Sequence, residues 1–234
     1  MKRKVLAGLV GAMFVCSVGF AAPVVDVAKG DTYLDVSYNK LKADDAIDDD
    51  VKLGTTELAL THGLTDKLAL TLGYTWTENK LVYEDIDDYG DGELCIETDK
   101  AKASISDVKL QYKVSKDFAP FIGYKKWETK NTYRHWHEFP AGTLLEGSYN
   151  ETDVDSYDQS GVQFGFIYNT KIADKANFFG SAAFGNDIKE YKVGLGYDIA
   201  KNTALEVNYK KITFEYGDED ADVKGLGFGL TYKF

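Results

Sequence analysis

The sequence has little cysteine and little proline, and it lacks a long hydrophobic run after its first 21 residues. Two cysteines and three prolines occur in 234 residues. Cys16 lies in an N-terminal apolar stretch, which leaves Cys95 alone in the rest of the chain and excludes an intramolecular disulfide framework. No later segment is apolar for long enough to cross a membrane as a helix, which excludes a membrane protein built from several helices.

Basic residues are in the minority as well. Lys and Arg number 27 against 38 Asp and Glu, giving a net charge of −11 at neutral pH. Nucleic acid is therefore not an expected partner, because its phosphates would be repelled. The sequence also lacks a glycine-rich phosphate loop or another nucleotide-binding motif.

Aromatic residues and glycine, by contrast, are abundant, with 16 Tyr, 13 Phe and 22 Gly. This composition is typical of β-sheet. In residues 225–234, large apolar side chains alternate with glycine, threonine and lysine: Leu226, Phe228, Leu230, Tyr232 and Phe234. Strict alternation predicts a strand with one apolar face. Such a strand would be a poor edge in water but suits a closed transmembrane barrel, where the apolar face meets lipid.

The N-terminus has the pattern of a secretory signal peptide over residues 1–21. Three basic residues, Lys2, Arg3 and Lys4, precede an apolar stretch that ends in small residues at Ala21. We expect cleavage after Ala21, which leaves residues 22–234 as a single barrel domain. The alternative is a membrane anchor, but the stretch is short and rich in glycine and alanine.

Ten alternating segments follow. They lie at residues 32–40, 53–62, 67–77, 103–114, 118–127, 159–168, 177–184, 189–199, 203–214 and 225–234. The third is the clearest, since Leu68, Leu70 and Leu72 precede Tyr74 and Trp76 on one face, as in a lipid-facing strand that ends in an interfacial aromatic girdle. The fifth has no clear phase, because Phe121 and Ile122 are adjacent.

The connections alternate between tight turns and longer loops. Tight turns are predicted at residues 63–66, 115–117, 169–176 and 200–202. Loops are predicted at residues 44–50, 78–100, 128–158 and 215–222, with a short hairpin at 185–187. With both termini on the turn side, the strand number is even. The prediction is an all-β, antiparallel transmembrane β-barrel of about ten strands, with eight or twelve as alternatives; a secreted β-sandwich is the competing fold.

Two motifs carry a family resemblance. Residues 63–68 (GLTDKL) resemble a periplasmic turn, and residues 229–234 (GLTYKF) resemble the C-terminal insertion signal, of small outer-membrane β-barrels of the OmpA/OmpX-like and porin-like kind. The resemblance implies a place in the cell outer membrane, contact with lipid and lipopolysaccharide, and recognition by the barrel-assembly machinery. It also implies that deletion of Phe234 impairs assembly.

Charged residues are predicted on the inward faces of the strands: Glu57, Lys109, Lys113, Lys125, Glu190, Lys192, Glu206, Lys210 and Lys233. In a narrow ten-stranded lumen these side chains can form a closed polar core or line a thin water path. The sequence leaves both possibilities open.

Histidines two residues apart, His135 and His137, could share a face of a strand and a metal ion, with Asp85 and Asp87 adding carboxylates. The competing interpretation is an exposed aromatic stretch that contacts lipopolysaccharide, water or a partner. Calcium binding by the acidic loops lacks the ordered ligand spacing of known calcium loops. The paired Asp-x-His element of ten-stranded outer-membrane proteases is missing, and no catalytic triad is evident. We therefore assign no catalytic, cofactor-binding or metal-binding residue and expect no enzyme activity and no cofactor.

Two functions remain. The first is a porin-like or structural envelope protein that allows at most passive diffusion of small solutes. The second is a surface adhesin or binding protein that acts through residues 78–100 and 128–158.

Overall fold

The computed structural model describes residues 23–44, 52–77, 81–88, 94–139, 147–185, 188–216 and 219–234. They form eleven strands. These are β1 (Thr32–Asp44), β2 (Lys52–Gly63), β3 (Leu68–Thr77), β4 (Leu81–Asp88), β5 (Leu94–Tyr112), β6 (Phe118–Phe139), β7 (Gly147–Ala173), β8 (Ala176–Gly185), β9 (Ile188–Ala200), β10 (Thr203–Tyr216) and β11 (Glu219–Lys233). No helix in these ranges is long and apolar enough to cross a membrane.

Ten of the strands close into an antiparallel barrel. Sequential neighbours are paired, β1 pairs with β11, and β3 pairs with β5, so that the sheet returns on itself. The last strand joins the first through twelve residue pairs, from Tyr33↔Lys233 to Asp44↔Asp222. β4 pairs with β5 alone and lies outside the ring. The predicted ten-stranded barrel is confirmed.

The outer surface of the barrel is apolar and its interior holds charge. All ten barrel strands expose large apolar side chains, among them Leu72, Val207 and Phe228. Inward residues such as Glu57, Lys192 and Lys210 are at most 1% exposed. A water-soluble protein has the opposite arrangement, with apolar side chains inside and charged ones outside. The distribution seen here fits a barrel whose outer face meets lipid. In β6, Ile122 and Tyr124 point outward while Phe121 is buried, which settles the phase of that strand.

One end of the barrel carries the tight turns, which join β2–β3, β5–β6, β7–β8 and β9–β10, and we call it the turn end. At the β2–β3 turn, the Thr65 hydroxyl accepts hydrogen bonds from the backbone N–H groups of Lys67 and Leu68. This local bond is what allows the chain to reverse in so few residues. The predicted turn at 169–176 is shorter than expected, because β7 continues to Ala173 and β8 begins at Ala176.

The prediction of loops at residues 78–100 and 128–158 is wrong for most of their length. Residues 81–88 form β4, residues 94–100 belong to β5, and residues 128–139 and 147–158 continue β6 and β7. These stretches lack the apolar alternation from which the other strands were predicted. Their Thr, Tyr and Val content still favours strand.

The barrel wall therefore has unequal height. Pairing of β3 with β5 ends at Trp76↔Ser104, and beyond it β4, β5, β6 and β7 continue as a four-stranded extension. We call residues 81–88, 94–102, 130–139 and 147–156 the projecting sheet. At about 3.3 Å per residue, its ten residues of β6 extend on the order of 30 Å. On the opposite wall, only two residues separate the end of β8 from the start of β9.

The predicted signal peptide at 1–21, most of the acidic stretch at 44–50, and the hairpin positions 186–187 lie outside the described residues.

Candidate functional site

The inward charges form a chain of ion pairs across the middle of the lumen. The Lys210 ammonium lies 2.8 Å from a carboxylate oxygen of Glu57 and 3.0 Å from one of Glu190. Glu190 also pairs with Lys125, at 3.2 Å. These four side chains come from β2, β10, β9 and β6, so the chain reaches from one wall to the other. All four are at most 5% exposed.

Two further buried pairs extend this layer. Lys192 lies 3.3 Å from Glu206, which also accepts a hydrogen bond from the Asn208 amide. Lys109 lies 3.1 Å from Asp107. Both lysines also lie over buried aromatic rings, Lys192 over Phe179 at 5.8 Å and Lys109 over Phe121 at 5.3 Å. Charged and aromatic side chains therefore pack against one another inside the lumen.

Glycines of β11 make this filling possible. A side chain at Gly227 would meet the Asn39 amide, and one at Gly229 would meet a carboxylate oxygen of Glu206. Side chains of the neighbouring strands β1 and β10 therefore lie directly against the inward face of β11. This accounts for the glycines between the outward apolar residues of the last strand.

Residues 23–30 close the turn end of the lumen. Val25 and Val27 are each 2% exposed, and Val25 belongs to an apolar cluster with Ala59, Phe121 and Ile167 of the wall. The carbonyl oxygens of Pro23 and Val24 accept hydrogen bonds from Asn169 of β7 (2.8 Å) and Gln111 of β5 (2.9 Å). We call residues 23–30 the plug segment.

The plug segment is also tied to the rim. Lys113 pairs with Asp26 at 2.8 Å, and the backbone N–H of Gly30 donates to the Gly63 carbonyl at 2.8 Å. Gly30 has a φ of 85°, a left-handed conformation that glycine adopts without strain and that turns the chain from the plug into β1. No periodic pattern in residues 23–30 indicates this packing from the sequence.

A small cavity lies at the mouth at the other end of the barrel. Lys125, Trp127, Gln163 and Glu190 are among its lining residues. Its volume of about 30 Å³ accommodates one or two water molecules. The cavity is therefore too small for a sugar or an amino acid.

The outward surface changes from apolar to polar where the projecting sheet approaches. Tyr124 is exposed on the outward face of β6, and its hydroxyl donates to the Ser160 hydroxyl at 2.6 Å. Above it, Lys126 pairs with Glu128 at 2.6 Å and lies 3.8 Å from Asp158. This row marks the upper limit of the lipid-facing band.

His135 and His137 lie on one face of β6 in the projecting sheet, in a stretch that was predicted as a loop, and both are half-buried. The His137 ring is 6.4 Å from the Tyr149 ring of β7, which shows that the two share this face. Among residues whose side chains the structure describes, no three His, Cys, Asp or Glu come together around a possible metal position. Asp85 and Asp87 are placed on β4 by the backbone pairing.

The acidic stretches fare differently. Asp222 receives a hydrogen bond from Thr213 and an ion pair from Lys211, both at 2.7 Å, and so has ordinary structural partners. Residues 84–88 form part of β4, and Asp44 ends β1. Sequence reasoning missed Asp35 and Asp107 as buried acids. Their inward phase on β1 and β5 would have revealed both.

No family model and no curated protein matches the sequence. By structure, the chain is similar to solved outer-membrane proteins. Ail, the attachment invasion locus protein of Yersinia pestis, is 10% identical with a TM-score of 0.43, over 88% of this chain and 99% of that one. The outer membrane protease OmpT from Escherichia coli is 10% identical with a TM-score of 0.46, over 93% and 99%. Neisserial surface protein A is 12% identical with a TM-score of 0.39, over 88% and 100%.

The barrel architecture that the predicted resemblance implied is confirmed by the strand pairing of the chain itself. Likenesses with these low identities and TM-scores carry no argument about activity. What the chain does has to be inferred from its own lumen and surfaces.

Proposed function

We propose that this protein is a structural outer-membrane barrel with a closed lumen, which holds the projecting sheet outside the cell as a binding surface. Of the two functions that the sequence left open, this combines the structural form of the first with the surface binding of the second. The observation that carries it is the Glu57–Lys210–Glu190–Lys125 chain, which occupies the width of the lumen. The plug segment closes the turn end independently.

Export through a cleaved signal at residues 1–21, assembly by the barrel-assembly machinery, and contact with lipopolysaccharide belong to the proposal. The band of outward apolar residues supports the lipid contact, and the polar row above Tyr124 suits contact with headgroups. The turn end then faces the periplasm and the projecting sheet faces outward.

Planar-bilayer recording of the refolded protein tests the closed lumen. We expect the full chain to give no single-channel steps. A Val25→Asp/Lys210→Met variant serves as the opened comparison, because it displaces the plug and breaks the ion-pair chain. Reproducible steps from the unaltered chain would show that the lumen conducts and would favour the porin-like alternative.

Cysteine labelling of intact cells tests the orientation. In a Cys95→Ser background, Thr152→Cys places a thiol on exposed β7 of the projecting sheet, and Lys116→Cys places one at the turn end. A membrane-impermeant maleimide should label position 152 in intact cells and position 116 only after the outer membrane is permeabilised. The opposite pattern would mean that the projecting sheet is not on the cell surface.

A further inference from the structure

The strand β7 has an unpaired edge where it enters the projecting sheet. β8 pairs with β7 only from Gln163 onward. From Val162 back to Gly147, the described strands give β7 a single neighbour, which is β6. In an antiparallel sheet every second residue directs its backbone N–H and C=O toward the same side of the strand, so half of these groups face a side where no described strand lies. We call residues 148–162 the open edge.

The open edge lacks the features that keep a strand edge from accepting another strand. Protected edges carry lysine, proline or a bulge, each of which interferes with a further strand. Residues 148–162 contain neither lysine nor proline. Their pairing with β6 also runs without a register shift. The open edge therefore keeps the regular backbone that an extended peptide needs when it joins a sheet as an added strand.

The open edge carries acids on one face. Glu151, Asp153 and Asp155 occupy alternate positions of β7, so they share a face, and all three are exposed. The residues of β6 that are paired with them include no lysine or arginine: His135, Tyr133 and Asn131. A strand added on the other side of β7 would lie next to these carboxylates, and cations on it would be favoured.

The open edge begins beside the small cavity at the mouth. Trp127, Gly161 and Gln163 are among the residues that line this cavity. The Gln163 side chain is buried, with 3% of the residue exposed, and its amide nitrogen donates to no group in the described part of the chain. Gly161 and Gln163 share the phase of the three acids, so an added strand would bring a side chain of the same face to the cavity. A hydroxyl group fits its volume and can accept from Gln163.

Charge distinguishes between the strands that could occupy the open edge. A second copy of this chain would bring its own β7, and antiparallel pairing about Asp153 would set Glu151 of each copy against Asp155 of the other. Like charges directly opposite each other destabilise a strand pair. A segment of another protein with Lys or Arg at alternate positions would place cations beside all three acids instead. The charges therefore favour a basic partner over self-association.

We propose that the open edge binds an extended basic segment of another protein, which joins the projecting sheet as an added strand beside β7. Alternate Lys or Arg side chains of this segment pair with Glu151, Asp153 and Asp155, and a Ser or Thr at its end reaches the cavity beside Gln163. The inference deepens the proposed function and rests on it, because the projecting sheet must lie outside the cell to meet such a partner.

Binding of synthetic peptides to the full chain, refolded in detergent, tests the proposal. The probe is a fluorophore-labelled peptide in which Lys alternates with Val and Thr and which ends in Ser, and fluorescence anisotropy measures its affinity. Two further peptides carry N-methyl groups on one or the other alternate set of backbone nitrogens. We expect one of them to bind like the probe and the other about tenfold or more weakly, because only one set donates to β7. Equal affinities of the two, or no binding of the probe, would overturn the added strand.

Substitutions in the chain test the acids and the cavity. Asp153→Asn/Asp155→Asn should lower the affinity for the probe about fivefold. Asp117→Asn/Asp174→Asn is the matched control, because it removes the same charge at the turn end and should leave the affinity unchanged. Gly161→Leu should also weaken binding, since a side chain there has open space around its Cβ within 4 Å and would occupy the cavity.

Heat-modifiable gel mobility establishes that each variant has folded. Equal losses in the two double variants would show a general attraction of the acidic chain for cations and would overturn the site. A chain dimer that excludes the probe would assign the open edge to a second copy, and an unchanged affinity in Gly161→Leu would remove the cavity from the site. Binding in detergent depends on neither orientation nor conductance, so the failure of this proposal is distinguishable from the failure of the proposed function.

Discussion

The barrel body and the projecting sheet are made from the same strands, and they differ in what lies against each face. In the body, β6 carries Ile122 and Tyr124 against lipid and buried Lys125 against Glu190. From Lys130 to Phe139 the same strand belongs to the projecting sheet, beyond the barrel ring. The hydrogen-bonded ladder is continuous across this change. Backbone pairing therefore does not depend on the surroundings, whereas the side-chain pattern does. Stability should be concentrated in the body.

The largest effect is expected at the centre of the body. Lys210→Met removes the cation between Glu57 and Glu190 and leaves two buried carboxylates without it. We expect the free energy of unfolding to fall by about 3–5 kcal/mol, the usual cost of breaking a buried ion pair from one side. Urea unfolding in detergent, followed by tryptophan fluorescence, measures it.

Lys126→Met is the matched control, since Lys126 pairs with Glu128 on the outer surface and its side chain is 46% exposed. Its cost should be much smaller than that of Lys210→Met, because solvent screens an exposed ion pair. If the two variants lost the same free energy of unfolding, the lumen would be hydrated and its ion pairs would be no stronger than those on the surface.

A smaller effect is expected from the plug segment. Val25→Asp puts a carboxylate into the apolar cluster around Phe121 and Ile167, and the segment should leave the lumen. The cost is limited to the docking energy of the segment, about 3 kcal/mol at about 1.5 kcal/mol for each of the buried side chains of Val25 and Val27. Ala28→Asp is the control, because Ala28 is exposed on the same segment. A similar loss for both would mean that the buried valines do not hold the plug.

Shortening the projecting sheet should change the stability of the body by no more than about 1 kcal/mol, because surface changes away from the core have small effects. Residues 131–155 can be replaced by an Asn-Gly turn that joins Lys130 and Ser156, which are directly paired. Heat-modifiable mobility and urea midpoint should persist. Failure of the shortened chain to form a barrel would show that the projection is needed for assembly.

The smallest effect concerns pH at the turn end. Lys233 donates to Asp31 at 2.6 Å, and this bond holds the pKa of Asp31 below its usual range. A lowered folded-state pKa stabilises the fold above the unfolded value of about 3.9, and the contribution is lost as the pH falls through the folded value. Because both groups are partly exposed, we expect a few tenths of a kcal/mol. Asp31→Asn should flatten the acid limb of the stability profile slightly, and an unchanged limb would contradict the assignment.

The sequence predicted the body well because lipid imposes a strict rule on every second residue. Leu72 and Tyr74 on β3, or Val193 and Leu195 on β9, leave no doubt about phase. The rule does not operate where both faces meet water, which is why β4 and the outer parts of β5, β6 and β7 were predicted as loops.

Partners in the lumen were harder to predict than positions. The inward phase of Lys210 followed from alternation, but its pairing with Glu57 spans 153 positions in the chain and depends on how far the strands are staggered around the barrel. The plug segment gave no signal at all. Its backbone makes several of its hydrogen bonds: the carbonyls of Pro23 and Val24 accept from the wall and the N–H of Gly30 donates to Gly63, and such groups occur in nearly every residue.

The plug segment has a consequence for the order of assembly. Its partners are Gly63, Gln111 and Asn169, of which the first and the last are more than a hundred positions apart in the chain. They come close to one another only when the sheet has curved. The plug segment precedes every strand in the chain. It can therefore dock only after most of the strands have paired. An environment-sensitive fluorophore attached at position 27 would thus act as a clock for barrel closure, silent on an open sheet and changed when the ring is complete.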